Sequence, residues 1–344
     1  MTGRIIEGAQ LRLGVSARSD VGECRRAAKR LAEQYRFDDT SVGRICIIAN
    51  ELANNIVSHA GSGEFLVQML DDGSNPELEL LAIDNGPGMK DVEQCLRDGY
   101  STAGTPGTGL GAISRLSTIF DVFSVVDQGT VVLSRTTPGR APQRAPATVK
   151  PALEFGAICL AITGETECGD AWRIAESDNA IAALVADGLG HGPLAATASQ
   201  AACKAYSAGP FDEPSRIMEG LHRALSGTRG AAAACVILRI PQRKAVYAGV
   251  GNICGRILAS ERSQGMVSHN GTLGVQLLRT QQFEYGWPED SRVVMHSDGL
   301  ATKWALEDYP GLSRRHCATI AAVLYRDFNR TRDDVTVLVA TYRQ

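Results

Sequence analysis

The chain has 344 residues, of which 44% are hydrophobic and 21% are charged, and its formal net charge is -3 at pH 7. This length is sufficient for two domains, each with its own core, and the small net charge gives no basic field that would attract nucleic acid or an anionic membrane. The sequence has no apolar run of about 18 residues and no signal-peptide core at its start. We therefore expect a cytoplasmic protein with neither a nucleic-acid nor a membrane partner.

The predicted elements of the first part are a strand, two helices and two hairpins. QLRLGVS alternates as a strand does, and helices are predicted over residues 20–35 and 40–60, with a cap for the second among residues 39–41. EFLVQML and ELELLAID form a hairpin around DDGSNP, and a helix near residues 110–118 precedes the strands FDVFSVV and TVVLSR. Hairpins with grouped helices predict an α+β fold, in which a mixed or antiparallel sheet is covered on one face.

A linker is predicted at RTTPGRAPQRAPATVK, residues 135–150, which contains three prolines and four basic residues. Such a composition favours an extended, semi-stiff segment with little that could enter a core. The linker divides the chain into an N-terminal domain, residues 1–134, and a C-terminal domain, residues 151–344.

The second part is rich in strand candidates. EFGAICLAI, DAWRIAES and AIAALVAD come first, and helices are predicted near residues 193–207 and 213–226. Strands return at AACVILRI, KAVYAGVG, ICGRILA and SRVVMHSD, before a helix near residues 313–325 and the final strand DVTVLVATY. Many antiparallel strands with helical inserts predict two stacked sheets flanked by helices.

The nine cysteines have no CxxC pairing and lie in apolar surroundings, which indicates reduced, mostly buried thiols. Cys24 and Arg30 have the C-x5-R spacing of thiolate phosphatases. Their segment, ECRRAAKRLAEQ, has the pattern of one continuous helix, whereas that chemistry needs a phosphate-binding loop before a helix. We therefore expect Cys24 to be a structural residue.

Several carboxylates of the second part stand where an apolar strand ends or begins. Carboxylates at adjacent strand ends converge on one place, and only divalent cations make such a concentration of negative charge tolerable. Two such cations can bridge a water molecule, lower its pKa and align it with a phosphate ester. The residues in these positions are Asp170, Asp187, Asp298, Asp333 and Asp334.

The first part carries three polar or glycine-rich segments in a fixed order and lacks the GxxxxGK[ST] phosphate loop. They are NELANN (50–55), DNGPGM (84–89) and GTPGTGLG (104–111). GTGLGA also fits the dinucleotide fingerprint, but neither a preceding strand nor a βαβ pattern accompanies it. Together the three segments resemble the GHKL ATP-binding fold over residues 10–134, which implies an α/β sandwich of the Bergerat type.

This resemblance implies a role for each segment toward ATP and Mg²⁺. Asn55 is implied as the Mg²⁺ ligand, Glu51 as the base near the γ-phosphate, and Asp84 as the acceptor for the adenine amino group. A hard ion such as Mg²⁺ suits an amide oxygen and phosphate oxygens, so His59 is expected to have a structural or partner-facing role. The glycine-rich residues implied to approach the base or wrap the triphosphate are Gly86, Gly88, Gly107, Thr108, Gly109 and Gly111.

Within the GHKL fold, ELANNIVSHAG and GTGLGAISRLSTIFDVFS are most similar to small bacterial serine/threonine kinases of stress signalling. That similarity implies STAS-domain anti-anti-sigma or stressosome-type switch proteins as partners, with a sigma factor as a further one. The presence of Glu51 favours phosphoryl transfer over nucleotide binding alone.

The carboxylates of residues 153–342 resemble, in order and spacing, those of SpoIIE-type metal-dependent serine/threonine phosphatases, which implies an αββα sandwich. The resemblance implies two Mn²⁺ or Mg²⁺ ions, with Asp187 and the Gly188 carbonyl as central ligands. Asp170, Asp298 and Asp333 complete the implied set, and Asp333 is preferred to Asp334 because it occupies the first position of the D-[DN]-x-[ST] ending. His191 is either an acid toward the leaving oxygen or a loop-stabilising residue.

Three functions remain open from the sequence. The first is a bifunctional enzyme that phosphorylates and dephosphorylates a serine or threonine of a STAS-domain protein. The second is a phosphatase whose GHKL domain only senses ATP or binds a partner. The third is a non-catalytic module that sequesters a sigma factor beside a separate phosphatase.

Overall fold

The computed structural model describes residues 3–96, 109–139, 152–259, 262–276 and 279–343. Over these residues the chain forms two compact units. The N-terminal unit is the described part of Gly8–Thr148 together with Leu306–Arg326. The C-terminal unit is the described part of Met1–Glu7, Val149–Ala305 and Asp327–Gln344. Each unit is therefore assembled from separate stretches of the sequence.

The N-terminal unit is built on one antiparallel sheet with the strand order β2-β3-β4-β6-β5. The first strand of the chain, β1 (Arg4–Ile6), belongs to the C-terminal unit, and the elements of the N-terminal unit begin after it. In chain order they are β2 (Gln10–Val15), α1 (Arg18–Gln34), α2 (Asp39–Asn55), a π-helical turn (Ile56–Ala60), β3 (Gly63–Leu70), β4 (Glu77–Asp84), α3 (Val92–Cys95), α4 (Gly109–Leu116), β5 (Ile119–Val125) and β6 (Gly129–Thr136).

Helices α1, α2 and α4 bury their apolar stripes in one core with this sheet. Ile48 and Leu52 of α2 pack in the same buried cluster as Phe65 of β3 and Leu80 of β4. This confirms the predicted sheet covered by grouped helices. The cap of α2 is Asp38, which accepts a hydrogen bond of 3.0 Å from the amide of Ser41, so the cap expected among residues 39–41 lies one residue earlier.

The C-terminal unit contains two antiparallel sheets, with the strand orders β1-β8-β9-β10-β11-β14 and β13-β12-β15-β16-β7. Helices α5 and α6 pack on the first sheet, where Ala202 and Leu221 join Ala233 and Cys235 in one buried cluster. The elements are β7 (Ala152–Leu160), β8 (Asp170–Ser177), β9 (Ala180–Gly188), α5 (Pro193–Ser207), α6 (Pro214–Ala224), β10 (Ala231–Arg239), β11 (Lys244–Val250), β12 (Cys254–Ala259), β13 (Arg262–Met266), β14 (Phe283–Gly286), β15 (Arg292–His296), α7 (Cys317–Phe328) and β16 (Val335–Arg343).

The two sheets of this unit meet at a ring contact between Phe155 of β7 and Trp172 of β8, whose ring centroids are 5.9 Å apart. This arrangement confirms the predicted combination of helices with stacked sheets.

The segment Leu306–Arg326, which includes most of α7, contributes to the N-terminal unit. The hydroxyl of Tyr325 donates a hydrogen bond of 2.8 Å to Glu64 of β3. The backbone amide of His316 donates a hydrogen bond of 2.8 Å to Asp121 of β5. Tyr309 packs edge-on against Phe123, with ring centroids 6.5 Å apart. These contacts extend the N-terminal unit with residues that follow the predicted linker by more than a hundred positions.

The cysteines and the helices agree with the expectations from composition. All nine cysteines are free and none of them is exposed. Cys24 is buried inside α1, where desolvation raises the pKa of its thiol to about 12, so it lacks the reactive thiolate that a phosphatase nucleophile needs. In the described part of the chain, every helix is too short or too polar to traverse a lipid bilayer.

Candidate functional site

The first candidate site lies where the end of α2 meets the beginning of α4. Glu51 and Asn55 are one turn apart in the last turns of α2. A methyl group placed on Gly109, the first residue of α4, would lie 3.0 Å from Glu51 Oε2 and 3.6 Å from Asn55 Oδ1. The structure thus brings together a carboxylate, an amide and the positive end of a helix dipole, a combination suited to phosphate groups and a cation.

Asp84 ends β4 and is held by two backbone amides. Its Oδ1 accepts hydrogen bonds of 2.9 Å from Gly86 and 3.2 Å from Thr130. Burial raises the pKa of this carboxyl, and the two hydrogen bonds oppose that effect. Position 129 beside Asp84 also requires glycine. Gly129 has φ +85°, and a methyl group there would lie 2.0 Å from the carbonyl oxygen of Asp84. The sequence indicated a turn at DQG but no link to Asp84.

The two glycines of the second segment are required by contacts within the protein. A methyl group on Gly86 would lie 2.7 Å from Ala60 Cβ, at the end of the π-helical turn. Gly88 has φ +67°, and a methyl group there would lie 2.1 Å from the carbonyl oxygen of Val125. The loop after Asp84 therefore packs against the π-helical turn that follows Asn55. This contact places the predicted motif NELANN next to the predicted motif DNGPGM.

The remaining residues of the predicted nucleotide site are partly outside the described ranges. Gly111 is buried in α4. His59 is exposed in the π-helical turn. Gly107 and Thr108 lie outside the described residues, so their predicted contact with the triphosphate stays a prediction.

The second candidate site is built on a cross-strand pair of carboxylates. Asp170 of β8 and Asp187 of β9 are direct partners in the antiparallel register. Asp298 follows β15 by two residues and Asp333 precedes β16, so all four stand at strand ends, as the sequence predicted. Asp298 and Asp333 line one cavity of about 480 Å³.

Two residues that the sequence reasoning missed orient these carboxylates. The hydroxyl of Ser297 donates a hydrogen bond of 2.6 Å to Asp170 Oδ2 and accepts one of 2.9 Å from the amide of Thr336. The side-chain amide of Asn252 donates a hydrogen bond of 2.7 Å to Asp298 Oδ2. Ser297 directly precedes Asp298 in the sequence, which was a signal for its role, whereas Asn252 lies far from every predicted ligand in the sequence.

The electrostatics of the second site indicate a need for positive charge. Burial, followed by the charges of Asp170, Asp298, Asp333 and Asp334, raises the pKa of Asp187 to about 9. Burial also raises the pKa of Asp170 to about 7, although Ser297 opposes the shift. Carboxylates so close together cannot all ionise without a counter-charge, and oxygen-rich clusters of this kind suit Mg²⁺ or Mn²⁺.

The cluster is not a closed ligand set as it stands. Within the described ranges, no group of three or more histidine, cysteine, aspartate or glutamate side chains is gathered closely enough to hold an ion. The register pair Asp170–Asp187 and the cavity pair Asp298–Asp333 are the parts that the structure brings together.

Asp333 and Asp334 have different environments although they are adjacent. Both carboxylate oxygens of Asp334 accept backbone hydrogen bonds of 2.7 Å, one from Ile162 and one from Gly169, and the residue is buried. Asp333 is only half-buried and faces the cavity. Asp334 therefore holds the loop before Asp170, whereas the Asp333 carboxylate remains open to a ligand.

Gly188 and His191 follow Asp187 on a tightly packed loop. A methyl group on Gly188 would lie 2.1 Å from the carbonyl oxygen of Ala195, so only glycine allows this approach of β9 to the first turn of α5. His191 is exposed, and its Nδ1 lies 2.9 Å from Glu165 Oε1. This pairing fixes the histidine ring beside the loop.

Comparison with known proteins gives one family model for each of two stretches of the chain. The histidine kinase-like ATPase domain matches residues 15–135, and Stage II sporulation protein E (SpoIIE) matches residues 177–343. The serine/threonine-protein kinase RsbT of Bacillus subtilis (strain 168) is 33% identical over 113 residues, which are 33% of this chain and 85% of RsbT. The phosphoserine phosphatase RsbX of the same organism is 28% identical over 139 residues, 40% of this chain and 69% of RsbX.

A solved structure from work on the bacterial stressosome, a modular system adapted to control secondary messenger signaling, is also similar. It shares 30% identity, has a TM-score of 0.52, and the match covers 55% of this chain and 100% of that chain. The chain therefore belongs to the histidine kinase-like ATPase family through residues 15–135, and its residues 177–343 match the family model of Stage II sporulation protein E.

Proposed function

We propose that this protein is a partner-switching regulator with two opposed activities on serine or threonine residues of STAS-domain proteins. The N-terminal unit transfers the γ-phosphate of ATP to the hydroxyl, and the C-terminal unit hydrolyses the resulting phosphate ester. The cross-strand pair of Asp170 and Asp187 carries the phosphatase half of this proposal, and the match to RsbT supports the kinase half.

The C-terminal residues suit a pair of divalent cations. Asp170, Asp187, Asp298, Asp333 and the Gly188 carbonyl would hold Mn²⁺ or Mg²⁺. When bound, such ions supply an activated water molecule and neutralise charge on the phosphate. The surrounding residues keep the carboxylates in place: Ser297 holds Asp170, and Asn252 holds Asp298. Asp334 accepts hydrogen bonds from the backbone amides of Ile162 and Gly169 and would hold the loop before Asp170.

The N-terminal residues suit ATP with Mg²⁺ as substrate. Glu51 would accept the proton of the attacking hydroxyl, and Asn55, one turn further, would bind the cation. The first turn of α4 at Gly109 faces both side chains, so its amides would meet the phosphates. Asp84, fixed by Gly86 and Thr130, would accept the adenine amino group.

The test uses labelled ATP and the STAS-domain proteins of the host. We expect transfer by the wild type, none by Glu51→Ala, and accumulation of phosphoprotein with Asp187→Ala, because removal of phosphate is blocked. Equal labelling by the wild type and Glu51→Ala would contradict the role of Glu51 and with it the kinase assignment. Glu33→Ala, which alters an exposed acid on α1, is the matched control and should label as the wild type does.

The phosphatase half is tested separately with an aryl phosphate and with a phosphorylated STAS-domain protein. Hydrolysis should require Mn²⁺ or Mg²⁺ and should be lost in Asp187→Asn. Asp178→Asn, in the exposed turn between β8 and β9, should hydrolyse normally. Wild-type protein that hydrolyses neither substrate in the presence of Mn²⁺ would contradict the assignment.

A further inference from the structure

Two arginines flank Thr331 in the turn between α7 and β16, and we call residues 329–332 the arginine turn. Arg330 and Arg332 are exposed, and they line the cavity of about 480 Å³ together with Asp298 and Asp333. Among the described residues, neither guanidinium group has a hydrogen bond or an ion pair. Both guanidinium groups therefore share the cavity with the carboxylates of Asp298 and Asp333 without forming a salt bridge to either.

The backbone of the arginine turn is held in a costly conformation. Thr331 has φ +57°, in the left-handed region that β-branched residues rarely adopt. The amide of Thr331 donates a hydrogen bond of 3.0 Å to Asn329 Oδ1, and the amide of Arg330 donates one of 2.8 Å to the carbonyl oxygen of Gly299. Such strain persists where surrounding contacts impose it, often at binding sites. The turn is thus tied to the residue that follows Asp298.

The chemistry of the cavity defines what it can accept. A phosphate monoester would be repelled by Asp298 and Asp333 unless positive charge accompanied them. Divalent cations supply part of that charge, and guanidinium groups match phosphate oxygens with paired hydrogen bonds. Arginines that served only to neutralise the carboxylates would form salt bridges with them, and the described residues show none at Arg330 or Arg332.

We propose that Arg330 and Arg332 bind the phosphate group of a phosphoserine or phosphothreonine on the protein substrate and so select phosphorylated side chains. This inference rests on the proposed phosphatase function, because the arginine turn shares its cavity with Asp298 and Asp333. The arginines contact the phosphate and orient it, and the carboxylate side of the cavity provides the hydrolytic site.

The test compares Arg330→Gln/Arg332→Gln with the wild type in the full chain. We expect KM for a phosphoserine peptide and Ki for inorganic phosphate to rise about tenfold or more, since each lost charge-assisted contact weakens anion binding. Mn²⁺ affinity, measured by calorimetry, should remain within about threefold. Calorimetric titration with inorganic phosphate, with and without Mn²⁺, reports binding even where no turnover occurs.

The matched control is Arg216→Gln/Arg223→Gln, which removes the same charge from exposed positions on α6. It should leave KM and Ki unchanged. Equal effects of the two double variants would show that only net charge matters, and a phosphate Ki unaltered by Arg330→Gln/Arg332→Gln would overturn the proposal. Wild-type protein that binds phosphate through these arginines but hydrolyses no ester would contradict the proposed phosphatase and leave the arginine site intact.

Discussion

The hydroxyl of Ser297 lies 2.6 Å from Asp170 Oδ2 and joins that buried carboxylate to the backbone of β16. Without this donor, a carboxylate facing Asp187 would have to move or take up a proton. We therefore expect Ser297→Ala to destabilise the protein by about 1–3 kcal/mol and to weaken Mn²⁺ binding about tenfold. Thermal unfolding and calorimetry measure the two effects. Ser226→Ala, at an exposed position, should change neither, and Mn²⁺ affinity unaltered in Ser297→Ala would remove Ser297 from the site.

The raised pKa values of the carboxylates predict how the metal-free protein responds to pH. The pKa of Asp170 is raised to about 7 and that of Asp187 to about 9, so between the unfolded value near 4 and these values the folded state binds more protons than the unfolded state. Stability of the metal-free protein should therefore be greatest at low pH in this window and fall as pH rises from about 5 to 8. Added Mn²⁺ should reverse the loss. The melting temperature against pH, with and without Mn²⁺, checks this, and a flat metal-free profile would contradict it.

The raised pKa of Asp187 also predicts that Asp187→Asn stabilises the protein in the absence of metal. At pH 8 the folded metal-free protein must keep Asp187 protonated, because its pKa is raised to about 9, whereas asparagine is neutral without taking up a proton. The substitution should therefore raise stability by about 1–3 kcal/mol at pH 8, and Mn²⁺ should no longer raise the melting temperature. Chemical unfolding with and without Mn²⁺ distinguishes the two effects. Asp178→Asn serves as the control for a general change in charge and should behave as the wild type does.

Asp333 and Asp334 should separate metal binding from stability. Asp334→Asn places an amide where two backbone N–H groups donate at 2.7 Å, so it should destabilise the protein by about 2–4 kcal/mol. Asp333→Asn should leave stability nearly unchanged and weaken Mn²⁺ binding. Unfolding curves and Mn²⁺ titrations of the two variants check this. The opposite pattern would show that Asp334 is the ligand.

Gly109 offers a test of the nucleotide site that spares the fold. In Gly109→Ala the new methyl group would lie 3.0 Å from Glu51 Oε2, so it should obstruct the space beside Glu51 and weaken ATP binding by about tenfold. Gly43→Ala, in α2 with no atom within 4 Å of the added methyl, should stabilise the protein by about 0.5–1 kcal/mol and leave ATP affinity unchanged. Fluorescent ATP-analogue binding measures the difference. Equal affinities for the two variants would place the nucleotide elsewhere.

Much of the fold follows from local pattern. Alternation and apolar runs predicted β2, β8 and β9. Successive side chains of a strand point to opposite faces of the sheet, so burial of one face gives alternation and burial of both faces gives an apolar run. The three-residue strand β1 was not predicted, since its pairing with β8 at Arg4–Glu176 joins residues far apart in sequence. The π-helical turn that follows Asn55 also gave no local signal, because a predicted helix over the same residues has the same apolar periodicity.

The candidate sites were predicted in part for a similar reason. Strand-end position identified Asp170, Asp187 and Asp298, but no local rule shows which oxygens the backbone already occupies. The phosphatase-like ending favoured Asp333 over Asp334 as a ligand, but no local pattern indicated that both carboxylate oxygens of Asp334 accept hydrogen bonds from the amides of Ile162 and Gly169. Asn252 and Ser297 were missed because each orients a carboxylate that is distant in the sequence: Asn252 donates to Asp298 and Ser297 donates to Asp170.

The placement of Leu306–Arg326 in the N-terminal unit has a consequence for biosynthesis. Glu64 can accept its hydrogen bond from Tyr325, and Asp121 its hydrogen bond from His316, only after residues 316–325 have been translated. Domains that end at a linker fold as they leave the ribosome, but this unit reaches its final set of contacts when the last strand of its neighbour is being made. A translation product that stopped before residue 306 would therefore lack the contacts that complete the N-terminal unit.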